Sequence, residues 1–330
     1  MKYTLVTGGA GFIGSHLVKR LLEDGEKVVI LDNLSMGKLS NIPLENKNVI
    51  FVNGDVSDRK TVNELFGKYN FDKIFHLAAV ASVAASIKDP EKTHQTNFNG
   101  TIYLLEEAKK QKDLRRFVFA SSAAVYGNSL ELPKKENSEI SPLTPYAIDK
   151  YASERYVLTY NSLYKLPTSA VRFFNVYGSG QNPNSPYSGV ISILTDRLKA
   201  NKMGNYNPFI LYGDGKQTRD FIFVDDVISA LLLVSESNES LGRVFNVGTG
   251  KQISLNEMIS IYEEISGVNL PIINHKFRDG DIRESYADIS LLNNIGFKPK
   301  YKLNEGLLNY WNDEIRNLKQ QHDIKEPISI

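Results

Sequence analysis

The chain has 330 residues, 42% of them hydrophobic and 23% charged, with a formal net charge of +1. That length can bury a large core, enough for one sizeable nucleotide-binding domain with a smaller one appended. A near-zero charge offers no field to attract nucleic acid or an anionic membrane, and the absence of cysteine excludes disulfides and thiolate metal sites. The opening stretch MKYTLVTGGAGFIG enters a strand directly and is too glycine-broken for a signal peptide. No run approaches the ~20 apolar residues of a membrane span. The chain therefore reads as soluble and cytoplasmic. Its five histidines, His16, His76, His94, His275 and His322, show no metal-ligand spacing, so no metal is expected.

In chain order, residues 3–7 form a short apolar strand, 8–14 a glycine-rich turn, and 14–24 a helix with Ile13, Leu17, Leu21 and Leu22 on one face. Strands follow at 27–31 and 48–53, a helix near 57–69, and a strand at 73–77. A long helix is predicted over 91–111, then a strand at 117–120, a helix over 145–164 and a strand at 168–173. Strands alternating with helices predict an α/β fold, a Rossmann-type doubly wound parallel sheet. The pattern then loosens. After the polar loop QNPNSPYSG come a helix, a strand at 209–212, a turn at 213–218, an apolar helix at 224–235 and a core strand at 244–247. A last helix lies near 255–266, before the polar segment FRDGDIRESYAD. The expected division is a dinucleotide-binding domain over 1–176, with 217–248 returning to it. A smaller α/β substrate-binding domain takes 177–216 and 249–318, and 319–330 is a polar tail.

TGGAGFIG puts Gly8, Gly11 and Gly14 between a strand and a helix. Glycine lets backbone approach a pyrophosphate, and the helix N-terminus offers it free N–H groups. A plain tight turn would need the same residues, so context decides. Asp32 supplies it, ending the second strand where a carboxylate can take both ribose hydroxyls of an adenosine. It would repel a 2′-phosphate, which favours NAD over NADP. Asn33, Ser35, Met36 and Gly37 add no base directly after it, although Lys38 is near. Asp55, with Val56 beside it, either reaches the adenine or caps the next helix.

Ser121 and Ser122 end a buried strand, and Ala123 and Ala124 follow them with nothing ionisable. TPYAIDKYASE then places Tyr146 and Lys150 at i and i+4, on one helix face. A cation beside a phenol favours the phenolate and lowers its pKa toward working pH. Such a pair, with a serine at an adjacent strand end, can take a proton from an alcohol as carbon loses hydride.

These stretches, with LDNLS, GDVSD, HLAAVASV, NFNGT, SSAAVYG, RFFNVYG, GDGKQTRDFIFVDDV, FNVGTG and RDGDIRESYAD, resemble the extended short-chain dehydrogenase/reductase family. Within it they resemble the nucleotide-sugar 4-epimerases. The resemblance runs from residue 3 to 288. It implies tightly bound NAD, with Tyr146 as base, Lys150 tuning it and Ser122 hydrogen-bonding the reacting oxygen. Hydride leaves sugar C4, a 4-keto sugar turns over in the pocket, and hydride returns to the other face. Related dehydratases place an Asp-Glu pair, and decarboxylases a Glu, where this chain has Ala123 and Ala124. The resemblance also implies that Phe12 and Ile13 meet the pyrophosphate, that Leu77, Ala78, Ala79 and Asn97 shape the cofactor site, and that Phe173 packs by the nicotinamide. Ala81 departs from epimerases with a lysine at that place.

On the substrate side the resemblance implies Ser82, Ser122, Asn175, Arg219 and Arg278, the last three toward a diphosphate. The two arginines could equally form surface ion pairs with Asp220 and Asp279. It also implies Asp281 for the uridine ribose, and Gly189 and Val190 for the uracil. Ser285 aligns with the wall of the sugar pocket, where glucose/galactose-restricted relatives carry tyrosine. A small residue leaves room for a 2-N-acetyl group unless Tyr286 or a shifted loop fills the space. UDP-GlcNAc/UDP-GalNAc interconversion is therefore favoured, with UDP-Glc/UDP-Gal also admissible. UDP-glucuronate epimerisation, another reaction on the same fold and a non-catalytic NAD-binding role are the alternatives. A homodimer through helices near 91–111 and 146–164 is also implied, with Ile102, Leu105, Val157 and Leu158 either at that interface or in the intramolecular core.

Overall fold

The computed structural model describes residues 2–182, 189–277 and 282–323, with side chains through 318. In chain order its first half comprises β1 (Tyr3–Thr7), α1 (Phe12–Glu23), β2 (Val28–Asp32), β3 (Val49–Asn53), α2 (Arg59–Lys68), β4 (Phe71–His76), α3 (Val83–Lys88), α4 (Pro90–His94), α5 (Gly100–Ala108), β5 (Arg116–Ser122), α6 (Pro145–Tyr164) and β6 (Thr168–Phe173). The second half adds β7 (Asn175–Tyr177), α7 (Val190–Lys202), β8 (Phe209–Tyr212), β9 (Thr218–Arg219), β10 (Phe221–Phe223), α8 (Val224–Glu236) and β11 (Val244–Val247). It ends with β12 (Ile253–Ser254), α9 (Leu255–Ser266), β13 (Ile272–His275), β14 (Glu284–Ser285), α10 (Ser290–Asn294) and α11 (Leu303–Asp323).

Seven strands form one parallel sheet in the order β11-β6-β5-β4-β1-β2-β3. Alternate side chains of each strand enter opposite cores, because successive Cβ atoms point to opposite faces. Val28 and Ile30 pack with α1 and α8, while Val29 and Leu31 pack with α2 and α5. Both faces are covered, which is why the strands read as continuous apolar runs. The strand order reverses beside β1, between β2 and β4, and a crevice at the C-terminal strand ends is the usual ligand site of such sheets. A separate core gathers α7, α9, α11, β8 and β10 around Leu194, Phe209, Met258, Tyr262 and Trp311.

The helix predicted over 91–111 is broken. α3 starts after Ser82, whose hydroxyl accepts from Ala85 N at 2.8 Å. Asp89 caps α4 through Lys92 N, and Gln95–Asn99 forms a π-turn before α5. The π-turn leaves the Asn97 carbonyl to the hydroxyls of Ser153 (3.0 Å) and Thr101 (2.7 Å), as such bulges free backbone groups for other partners. Asp58, not Asp55, caps α2, through Lys60 N and Thr61 N. Leu105 and Val157 are fully buried within the chain's own core, so neither serves an interface.

A polar network crosses the end of the sheet. Glu154 on α6 and Arg172 on β6 form a buried two-pronged ion pair, at 2.9 and 2.6 Å. The Arg172 guanidinium also donates to the Tyr126 hydroxyl (2.8 Å) and the Glu136 carbonyl (2.9 Å). Tyr126 donates to Asn246 Oδ1 at 2.6 Å, and the Asn246 amide donates to the carbonyls of Lys134 and Asp288. Removing one partner strands a buried charge. Glu154→Ala is expected to lower unfolding free energy by about 3–5 kcal/mol, read by urea titration. A Glu154→Leu/Arg172→Met double variant should lose less than Glu154→Ala.

Candidate active site

A cleft of about 1000 Å³ lies over the C-terminal ends of the central strands. Gly8, Gly11, Phe12, Ile13 and Gly14 line it, as do Asp32, Asn33, Ser35, Met36 and Gly37. So do Asp55, Val56, Leu77, Ala78, Ala79, Phe173, Ser82, Ser122, Tyr146 and Lys150. Asn97 does not. It is buried behind the wall, where its side chain accepts from Val80 N (2.8 Å) and donates to Val80 O (3.1 Å). Asn97 thus shapes the Val80 wall from behind.

The glycine turn has the form that a dinucleotide needs. Gly8 has φ +71°, and a Cβ there would stand 2.8 Å from Ala78 N. A Cβ on Gly14 would stand 2.1 Å from the Gly8 carbonyl oxygen, so α1 can sit against β1 only with glycine. Gly11 is the N-cap of α1 and brings no side-chain acceptor, which leaves the first N–H groups facing the cleft. The Asp32 carboxylate accepts from Ala10 N (2.9 Å) and Leu34 N (2.8 Å), fixing it between the turn and the end of β2. Asp55 lies across from it. Its carboxylate accepts from Asn33 Nδ2 (2.7 Å) and from the amide and hydroxyl of Ser57. Although burial opposes it, those hydrogen bonds hold its pKa below the usual carboxylate range. These groups fit an adenosine dinucleotide: open N–H donors for its pyrophosphate and a fixed carboxylate for its ribose.

At the other end Thr144 caps α6 through Ala147 N, with Pro145 in its first turn, and this starts the helix that carries Tyr146 and Lys150. The Lys150 ammonium donates to the Ala120 carbonyl at 2.8 Å and lies 4.9 Å from the centre of the Phe119 ring. Ser122 begins a 3₁₀ turn, and its hydroxyl accepts from Ala124 N at 3.2 Å. Ala123 and Ala124 form that turn, so the strand end presents a hydroxyl with no acid beside it. The expected lowering of the tyrosine pKa by lysine does not appear in the protein alone. Burial pushes the Tyr146 phenol up, against a hydrogen bond with Ser122 that lowers it. Burial also pushes Lys150 down to about 7, against the opposing charge of Asp149.

The substrate-side residues are less gathered. Asn175, Gly189, Val190, Arg219 and Ser285 do not line this cleft among the described residues, and Arg278 and Asp281 lie outside them. Ser285 and Arg219 are backbone neighbours, paired across β14 and β9. Asp220 is not available as a surface partner for Arg219. It is buried, and its carboxylate accepts from Thr249 N and Oγ1, Gly250 N and Ala287 N. Burial raises its pKa all the same. Lys199 and Glu314, which no motif marks, also line the cleft as an ion pair, together with Gln181 of the polar loop. Their signal was weak, since they come from a loop and from two helices distant in sequence. Among the described residues no cluster of three His, Asp or Glu side chains could hold a metal, and no helix is long and apolar enough to cross a membrane.

The NAD dependent epimerase/dehydratase family model matches residues 4–248. A UDP-glucose 4-epimerase of Mycolicibacterium smegmatis is 38% identical over 308 residues, 92% of this chain and 96% of that protein. Among solved structures, UDP-glucose 4-epimerase of Thermotoga maritima with UDP-glucose matches with a TM-score of 0.89 at 36% identity, over 96% of this chain and 99% of that one. UDP-N-acetylglucosamine 4-epimerase of Methanobrevibacter ruminantium M1, in complex with UDP-N-acetylmuramic acid, matches with a TM-score of 0.87 at 36% identity over the same shares.

Close packing of the turn makes a prediction. Gly14→Ala is expected to cost about 1–3 kcal/mol of stability through overpacking and to leave the purified protein depleted of NAD, measured by acid release and absorbance. Gly67→Ala, inside α2 with nothing within 4 Å of the new Cβ, should instead gain about 0.5–1 kcal/mol.

Proposed function

The chain belongs to the NAD dependent epimerase/dehydratase family and is an NAD-dependent UDP-sugar 4-epimerase; from that premise we propose its residue roles and its sugar. Gly8, Gly11, Phe12, Ile13 and Gly14 hold the NAD pyrophosphate. Asp32 holds the adenosine ribose, and Asp55 with Val56 flanks the adenine. When bound, NAD supplies a reversible hydride acceptor at sugar C4. Tyr146 takes the proton of the C4 hydroxyl and returns it, Ser122 donates a hydrogen bond to the same oxygen, and Lys150 favours the phenolate. One acid/base group suffices for oxidation and reduction at one carbon. Elimination of water would need a further acid, and Ala123 and Ala124 supply none. That is the observation that carries the reaction class.

The sugar is read from Ser285. The overall likeness to a glucose enzyme and to an N-acetylglucosamine enzyme is the same 36% identity, so whole-chain similarity does not separate them. Ser285 is a small, half-buried side chain on β14, beside Arg219 on β9. Ser285 lies outside the cleft lining, so its place beside the sugar rests on the resemblance; there a small side chain would leave room for a 2-N-acetyl group, which favours UDP-GlcNAc and UDP-GalNAc, with UDP-Glc and UDP-Gal also fitting. Asn175, Arg219 and Arg278 are assigned to the diphosphate, Asp281 to the uridine ribose, and Gly189 and Val190 to the uracil. The substrate domain would comprise 177–216 and 249–318.

Two chains are proposed to pair through α6 and the α4–α5 segment. Ile148, Tyr156, Leu163 and Tyr164 are exposed large apolar or aromatic side chains on α6, with half-buried Ile102 on α5 and Leu158 on α6. Sedimentation at micromolar protein should give twice the chain mass, and a single-chain mass overturns the pairing.

Without added NAD, the purified protein should interconvert UDP-GlcNAc and UDP-GalNAc, followed by proton NMR. Tyr146→Phe should keep its NAD and lose about two to four decades of rate, the usual contribution of a general base. Ser285→Tyr should lose about tenfold or more on UDP-GlcNAc but not on UDP-Glc, as expected when a pocket must exclude one group. Equal loss on both sugars would overturn the pocket assignment.

A further inference from the structure

Lys150 is a buried cation with no bonded anion: among the described residues no carboxylate lies within salt-bridge distance of it. The groups that face it come from several elements. β5 gives the Ala120 carbonyl and the Phe119 ring. β4 gives His76, whose ring nitrogens meet the hydroxyls of Thr7 (2.8 Å) and Thr101 (3.0 Å) and whose burial pushes its pKa down to about 3, so it stays neutral. On its own helix Tyr146 lies one turn before it, and Asp149 is the preceding residue, whose charge acts on it without contact. One turn further on, Glu154 is already matched by Arg172.

Asp149 is the unusual member. It is buried, and one carboxylate oxygen lies 2.7 Å from His94 Nδ1 on α4. A carboxylate can only accept there, so the imidazole proton sits on Nδ1. The ring of His94 is itself stacked on Phe98, with centroids 5.0 Å apart. The other oxygen of Asp149 is buried and has no hydrogen-bond partner. Such an acceptor costs stability unless its charge is used. Asp149 and Lys150 are consecutive on α6, so their side chains leave the helix in different directions, and the anion acts on the unpaired ammonium through the buried interior rather than by contact.

We propose that Asp149, held by His94, is a positioning residue that keeps Lys150 protonated beside Tyr146. The proposal rests on the reading that Lys150 serves Tyr146. Burial removes the lysine's preference for charge, and the fixed anion restores it. That agrees with the two opposing influences on Lys150, burial first and Asp149 second.

The sign of the effect follows. Removing the anion disfavours the ammonium, so Lys150 loses its proton at lower pH. The alkaline limb of the kcat–pH profile should therefore move to lower pH in Asp149→Asn. The move should be about one pH unit, the order a unit charge produces at roughly 10 Å in a protein interior of effective dielectric constant about 20. KM for the UDP-sugar should stay within about twofold, since uniform binding is untouched. Asp149→Glu should keep the wild-type limb. Asp149→Glu and Asp149→Gln also form a pair of matched size that tests charge alone if Asp149→Asn does not fold. A limb that stays in place while kcat falls equally at every pH would show a structural role and overturn the proposal. An enzyme whose Tyr146→Phe variant is fully active would fail at the underlying reading instead, and the two failures are separately visible.

Discussion

The Glu154–Arg172 ion pair is the contact on which the site's geometry depends. It joins the helix that carries Tyr146 and Lys150 to β6, and the second oxygen atom used by Arg172 Nε also accepts from the Ser121 hydroxyl at 2.7 Å. Ser121 precedes Ser122, so the pair sets the spacing between the strand end that carries Ser122 and the helix that carries Tyr146. A buried ion pair is stabilising only when its remaining hydrogen-bond capacity is met. Here Tyr126 and the Glu136 carbonyl take the other guanidinium donors, and Asn246 extends the network to β11. Packing alone would hold the layers together, but it would not fix a serine and a phenol at hydrogen-bond range.

Much of this was legible because the signals are local. Gly8, Gly11 and Gly14 sit within one turn, Asp32 ends the strand that follows, and Tyr146 and Lys150 are one helical turn apart. The parallel sheet was legible too, since apolar runs alternate with helices. Contacts between distant segments were not. The break at Gln95–Asn99 depends on Ser153 taking the Asn97 carbonyl, a partner 56 positions away. Asn97 looked like a cofactor residue and turned out to brace Val80. Leu105 and Val157 looked equally suited to an interface or a core, and only the packing of α2, α5 and α6 on the sheet separates these. Arg219 and Asp220 look like a pair in sequence, yet successive residues of an extended segment face opposite ways, and Asp220 bonds the 249–250 turn and Ala287.

The electrostatics of the site could not be read from i,i+4 spacing either. Spacing says that a lysine and a tyrosine share a face. It does not say that both are desolvated, or that desolvation acts against the lysine's charge and the tyrosine's ionisation together. A phenol and an amine buried side by side are most stable both neutral. The proposed roles require the opposite arrangement, ammonium beside phenolate, so a nearby group would have to favour the charged lysine. The neutral His76 and the carbonyl of Ala120 bring no charge, which leaves the carboxylate of Asp149 as the anion adjoining it in sequence.

Tyr146 and Ser285, proposed as base and sugar-pocket wall, are held by different structure. Tyr146 depends on α6, β5 and β6. Ser285 depends on its pairing with Arg219 and on the hydrogen bond from Ala287 N to Asp220, at 3.2 Å. Asp220 in turn fixes Thr249 and Gly250, just beyond β11. A change of side chain at 285 is therefore not expected to move the phenol, the serine or the glycine turn. On the proposed roles, that separation would let one hydride chemistry serve sugars that differ at C2, with the reaction class carried by the sheet-end motifs and the choice of sugar by one short strand.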